Sequence, residues 1–121
     1  MAGPFFSLAQ KFFIEQTRTA LLGLGAKVFS PMHEVGFDLP VETIATQDLQ
    51  GLEQCSVVLA LVTDLDPGTI FEVGYARARN IPVVAHGEGV KVEHLTMIIG
   101  SRCIYSEDFC SAVYNAVWAG M

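Results

Sequence analysis

The stretch of this 121-residue chain that is richest in chemistry is Asp64 to Ala78, DLDPGTIFEVGYARA. It follows Ser56–Val62 (SVVLALV), a nearly uninterrupted aliphatic run whose length suits a parallel strand covered on both faces. In open parallel sheets the ligand crevice lies beyond the carboxyl ends of the strands, so this run delivers Asp64 and Asp66 to that edge. After a turn at Asp66-Pro67-Gly68, a helix is expected from about Thr69 to Asn80, with Glu72 in its first turn or so. There the free backbone N–H groups and the helix dipole favour an ionised carboxylate. An ionised, oriented carboxylate is a competent nucleophile toward the anomeric carbon of a sugar. On spacing alone, Asp66 and Glu72 read equally well as acids decorating a helix start. Gly74, Ala76 and Ala78 are small enough to let this helix pack close to the sheet.

The elements around this stretch alternate. Ser7 followed by Gln10 has the form of a capping box, and Leu8, Phe12, Ile14, Leu21 and Leu22 recur near helical period until Gly23 and Gly25 end the helix. Lys27–Ser30 is short and β-prone and Pro31 closes it. A loop through His33, Gly36 and Pro40 then leads to a weak helical stretch holding Ile44, Asp48, Leu49 and Leu52. Ile81–His86 reads as a strand, Gly87 to Gly89 as a turn, His94–Ile99 as a short helix, Cys103–Tyr105 as a last strand and Glu107–Trp118 as a last amphipathic helix. Such alternation implies an α/β fold, a single-domain doubly wound parallel sheet of flavodoxin-like or Rossmann-like type spanning residues 1–121. A fold of this kind opens with a central strand, whereas this chain begins Met-Ala-Gly-Pro. The first strand is therefore expected to be truncated, with the chain a segment of a longer polypeptide or the sheet completed in some other way.

Composition narrows the ligand classes. A net charge of −6 repels a polyphosphate backbone, which argues against DNA or RNA polymers as partners. An apolar fraction of 51% exceeds what a small solvated monomer needs, so a homo-oligomer is expected. Cys55, Cys103 and Cys110 are odd in number and lack Cys-x-x-Cys spacing, so they read as reduced core thiols, with neither a disulfide framework nor a metal site indicated. No apolar run reaches the roughly 20 residues of a membrane span, and no signal-peptide n-region is visible. The expectation is a cytoplasmic protein without a membrane partner. Gly23-Leu24-Gly25 follows a helix rather than a strand and reads as a C-cap, not a phosphate loop; Gly87-Glu88-Gly89 reads as a plain turn.

Four segments carry a likeness. They are Ala2-Gly3-Pro4-Phe5-Phe6; Phe29-Ser30-Pro31 with His33-Glu34; Asp48-Leu49-x-Gly51-Leu52; and Asp66-x-Gly68-Thr69-x-Phe71-Glu72-x-Gly74-Tyr75-Ala76. In this order and at these separations they resemble the nucleoside 2-deoxyribosyltransferases, a family that includes nucleotide N-glycosidases. The resemblance covers most of the chain. It implies that Glu72 is the nucleophile that forms a glycosyl-enzyme, Asp48 the acid that protonates the departing base, and Asp66 a carboxylate that orients the sugar. It places Gly3, Pro4, Phe5 and Phe6 in a loop packed on the ligand, Gly68 beside Asp66, and His33 at the base pocket. No cofactor is implied, and the ligand is a small nucleoside or nucleotide. The chemistry is consistent, because a nucleobase leaves poorly until protonated and one carboxylate cannot serve efficiently both as acid and as nucleophile.

Two positions depart from the family pattern. Ser56 stands where relatives often carry an aspartate, which bears on capping rather than chemistry. Relatives complete a neighbour's site with a C-terminal polar residue, often Asn, where this chain has Ile99-Gly100-Ser101-Arg102. An arginine there suits a phosphate bidentately, and equally suits a solvated strand entrance. The leading expectation is cleavage of a nucleoside N-glycosidic bond with transfer of the sugar to another base. A nucleoside 5′-monophosphate N-glycosidase, with water as acceptor, and a non-catalytic nucleotide-binding module are the alternatives.

Overall fold

The aliphatic run after Ser56 forms one edge of the named sheet in the computed structural model, which describes residues 1–121. Strands β1 (Val58–Leu61), β2 (Val83–His86) and β3 (Ile104–Ser106) are parallel, in the order β1-β2-β3, with Val58 opposite Val83 and Val84 opposite Ile104. Every residue of β1 and β2 is buried, as expected of parallel strands covered on both faces. The helices are α1 (Leu8–Gly23), α2 (Pro31–Glu34), α3 (Val41–Glu53), α4 (Pro67–Ala78), α5 (Thr96–Gly100) and α6 (Phe109–Ala119), with a 3₁₀ turn at Val92–His94. Alternation along the strands divides the core. Val58, Ala60 and Val62 pack with Leu52 of α3, Val73 and Ala76 of α4, and Ile98 of α5. Leu59, Leu61 and Val84 pack with Ile14 and Leu21 of α1 and Ala112, Val113 and Ala116 of α6.

Helix α1 starts where its signals place it. Gln10 N–H donates to Ser7 Oγ at 3.1 Å, while Gln10 Oε1 accepts from Ser7 N at 3.0 Å. It ends with Gly25 at φ +85°, and Ala26 N–H reaches back to Leu21 O at 3.1 Å, the left-handed exit that glycine makes cheap. Its inward face is Ile14, Thr17 and Leu21. Leu8 and Phe12, expected on that face, are 85% and 64% exposed. Phe12 lies about 200° around the helix from Ile14, so the two cannot share a stripe.

At the first strand the expected truncation is found, and one expectation beside it needs correction. The Met-Ala start does enter the sheet, but as a single parallel bridge: Ala2 N–H donates to Leu59 O and Ala2 O accepts from Leu61 N, both at 2.8 Å. Lys27–Ser30, expected as a strand, forms no ladder, because a strand needs a neighbour along its length and only Met1 lies beside it. The Met1 ammonium donates to Phe29 O at 3.0 Å. Beside Met1, between Ala26–Phe29 and Cys55–Val57, lies a mostly apolar cavity of about 820 Å³. Gly51 leaves room for the Phe29 ring, which a Cβ at that position on α3 would displace.

Smaller differences have local causes. His33 lies in the one-turn helix α2 rather than a loop, since Pro31 fits a first helical position and Glu34 Oε2 accepts from Ser30 N at 2.6 Å. Of the small residues on α4, only Ala76 is buried against the sheet; Gly74 and Ala78 face outward. Cys110 is exposed rather than a core thiol, because it falls on the outer side of α6. No helix is long and apolar enough to cross a membrane.

Candidate active site

The geometry of the carboxylates is decided by how α4 begins. Asp66 is its N-cap, with Oδ2 accepting from Thr69 N at 2.9 Å and from Thr69 Oγ1 at 3.0 Å, and Pro67 supplies a preset first helical residue. The cap moves the helix start to Pro67, two residues before the expected Thr69. Glu72 consequently falls in the second turn, beyond the N–H groups that lack helical partners. The expectation that the helix start would favour its ionised form is therefore overturned. The Glu72 carboxyl is pushed up from 4.5 to about 7, first by burial and then by the negative charges of Asp48 and Asp66, with the Met1 ammonium opposing.

Asp48 projects from α3, which packs against α4. Burial raises its carboxyl above the usual carboxylate range, and its Oδ1 is buried without a hydrogen-bond partner. Such an oxygen costs free energy until it meets a donor, whether a proton or a ligand N–H. The Met1 ammonium is itself fully buried, which lowers its affinity for a proton, and the charges of Cys55, Glu72 and Glu34 act in the opposite sense. The α3/α4 groove thus holds two acids that both resist ionisation and that interact through like charge. That combination suits one group that attacks as an anion and one that delivers a proton.

The first loop runs past the carboxyl end of β1. A Cβ on Gly3 would stand 3.1 Å from Ile14 Cδ1 and 3.2 Å from Leu61 Cβ, so any larger residue here would push those side chains back by a few tenths of an ångström. Pro4 is buried, Phe5 is half-buried and Phe6 is 68% exposed. Phe37 joins them, its ring centroid 4.6 Å from Phe5 and 6.0 Å from Phe6. Phe37 escaped sequence reasoning because it lies in an irregular segment with no periodicity; the one local signal is Gly36, at φ +78°. Gly68 lies beside the Asp66 cap, where a Cβ would stand 3.3 Å from Asp66 Oδ2.

Asp48, Asp66 and Glu72 are electrostatically coupled through Glu72. His33 is turned toward α1, with Nδ1 paired to Ser30 Oγ and Nε2 to Glu15 Oε1, each at 2.7 Å, so neither ring nitrogen is open to a base. Arg102 is exposed at φ +68° in the turn before β3, at the amino edge of the sheet and opposite the carboxyl edge of its own chain. No three His, Cys, Asp or Glu side chains converge in a way that would hold a metal ion.

Comparison with known proteins agrees with this architecture. The family model described as nucleoside 2-deoxyribosyltransferase matches residues 1–98. The solved structure of a 2-deoxyribosyltransferase from the psychrotolerant bacterium Bacillus psychrosaccharolyticus is similar, with a TM-score of 0.70 and 26% sequence identity, over 93% of this chain and 87% of that chain. Among curated proteins, no sequence matches.

Proposed function

The chain belongs to the nucleoside 2-deoxyribosyltransferase family, and from that premise we propose that it cleaves a nucleoside N-glycosidic bond through a glycosyl-enzyme on Glu72 and passes the sugar to a second nucleobase. The observation that carries this reading is the pair of half-buried acids on α3 and α4, one pushed up to about 7 and the other raised with an unpartnered oxygen. In the first step a Glu72 carboxylate oxygen bonds to C1′ while the glycosidic bond breaks. Its electron pair stays on the base nitrogen, which receives a proton from Asp48. In the second step a ring nitrogen of the acceptor base attacks C1′, the ester bond breaks, Glu72 leaves as a carboxylate and Asp48 takes the acceptor's proton. Two inversions at C1′ give net retention.

Because Asp48 and Glu72 repel each other when both are charged, a proton on Asp48 favours an ionised Glu72, which is the arrangement the first step needs. Phe5, Phe6 and Phe37 offer aromatic area for packing the ligand at the first loop. Asp66 spends Oδ2 on its cap and keeps Oδ1 for a sugar hydroxyl, which favours a free 5′-hydroxyl over a 5′-phosphate. Arg102, at the far edge of its own chain, would serve only a site on a neighbouring copy, so the reading includes a homo-oligomer with the turn before β3 at the interface. Incubating nucleosides and their monophosphates with and without a second free base, followed by chromatography, tests the proposal. New nucleoside formed only in the presence of the second base supports transfer. Base release with water alone, faster from monophosphates, favours the N-glycosidase. No turnover of any substrate by folded protein favours a non-catalytic module.

A further inference from the structure

On the opposite face of the sheet from Asp48 and Glu72, a separate cavity of about 230 Å³ opens at the carboxyl ends of β1 and β2, between them and the start of α1. Pro4, Phe13 and Leu61 form its apolar walls, and its polar lining is Gln10, Thr63, Asp64, His86 and Glu88. His86 is only 1% exposed, and its ring sits beside Phe13 and Phe109 at centroid distances of 5.9 and 5.6 Å. Its Nδ1 lies 3.1 Å from the Ser106 carbonyl, which can only accept, so Nδ1 carries the hydrogen and a neutral ring presents Nε2 as an acceptor. Nε2 has no hydrogen-bond partner in the chain; Glu88 Oε1, at 3.9 Å, is too far. A buried imidazole with one nitrogen fixed and the other open to a cavity is an unfilled acceptor.

The other polar groups repeat that sign. Asp64 Oδ2 accepts from Gln10 Nε2 at 2.9 Å, which uses one of the two amide N–H donors and leaves Oδ1 open. Gln10 Oε1 is already taken by the N–H groups of Phe6 and Ser7. Thr63 Oγ1 accepts from Glu88 N at 3.2 Å, which ties the loops after β1 and β2 into a common floor. What remains for a ligand is the acceptor on His86, two carboxylates, the second N–H of Gln10, one hydroxyl hydrogen and the face of Phe13, so acceptors outweigh donors and no lysine or arginine is in the lining. We propose that this cavity binds a small organic cation with N–H donors, a primary ammonium or amidinium on a compact apolar body. One N–H bridges the 3.9 Å gap between His86 Nε2 and Glu88, the apolar body rests on Leu61 and Pro4, and Phe13 stabilises the positive charge. The volume, equal to that of roughly eight waters, limits the ligand to a single small ring or a short chain.

Benzamidinium is a suitable probe, with neutral benzamide as its near-isostere. Calorimetric titration of the full chain should show benzamidinium binding at millimolar concentration or tighter, with benzamide at least about tenfold weaker. In protein with ¹⁵N-labelled histidine, the His86 Nε2 resonance should move on binding. Glu88→Gln alters a side chain that is largely in solvent and should fold normally; it is expected to weaken benzamidinium about fivefold and leave benzamide unchanged. Equal affinity for the two probes would reduce the cavity to an apolar crevice and overturn the proposal. So would a lack of benzamidinium binding to folded protein, or binding that neither Glu88→Gln nor the His86 signal registers.

Discussion

Asp108 at the start of α6 and Glu72 inside α4 are both carboxylates on the N-terminal half of a helix, yet their surroundings drive them in opposite directions. Asp108 is exposed and accepts from Ser111 N at 2.7 Å, and that hydrogen bond holds its carboxyl below the usual range. Glu72 is one turn too deep to find a free N–H, and burial with two acidic neighbours pushes it to about 7. One carboxylate stabilises a helix by being charged, while the other is destabilised by charge and available for chemistry. The difference teaches that position along a helix matters less for a carboxylate than which donors remain unspent around it.

The strongest way to break this contrast is Glu72→Gln. Turnover is predicted to fall by several orders of magnitude with the fold and ligand binding retained, because the amide keeps the shape and loses the proposed nucleophile. Near-normal turnover in steady-state assays would remove Glu72 from the mechanism. The same variant sharpens the energetic half of the contrast. Between pH 4.5 and 7 the folded chain holds a proton on Glu72 that the unfolded chain has released, so stability falls as pH rises through that window. The total is about 3 kcal/mol. Glu72→Gln should therefore be more stable than the parent by up to that amount near about pH 8, with the gain vanishing near about pH 4, as read from denaturant unfolding at several pH values.

Asp48→Asn is expected to act more mildly and in two ways. It removes one of the charges that raise Glu72, so the acid limb of kcat/KM against pH should move downward. It also removes the proposed proton donor, so nucleosides with poor leaving bases should lose far more rate than activated ones. Equal losses for both substrate types would make Asp48 a positioning residue. The smallest effect belongs to Asp108→Ala, which should lower Tm slightly above the carboxylate range and leave turnover alone. Because the Asp108 carboxyl is lowered by folding, its contribution is present at neutral pH and is lost as pH falls through its folded value. Thermal melts at neutral and acidic pH check that sign.

Much of this arrangement is legible before any coordinates. The capping box at Ser7 and Gln10, the aliphatic run that becomes β1 and the alternation of strands and helices are local signals, and they place Asp66 at the carboxyl edge, while the role of Gly3–Phe6 follows only from the family resemblance. The titration of Glu72 was not legible, because it depends on where the Asp66 cap starts the helix and on a neighbour contributed by α3. The outward turn of Leu8 and Phe12 was missed because apolar residues at helical spacing do not declare which stripe faces the sheet. Nor did the sequence betray Phe37, which reaches Phe5 through an irregular segment, or His86, whose two environments come from the Ser106 carbonyl and the α1 side of the sheet.

The most direct test of the central claim is to trap the intermediate. A 2-fluoro-2-deoxy nucleoside analogue slows both steps by destabilising the oxocarbenium-like transition state, and digestion with mass spectrometry then locates any sugar left on the protein. The predicted result is a glycosyl adduct on the peptide carrying Glu72, absent from Glu72→Gln and discharged by added free base. An adduct on a different carboxylate, or turnover of ordinary nucleosides with inversion at C1′, would contradict it.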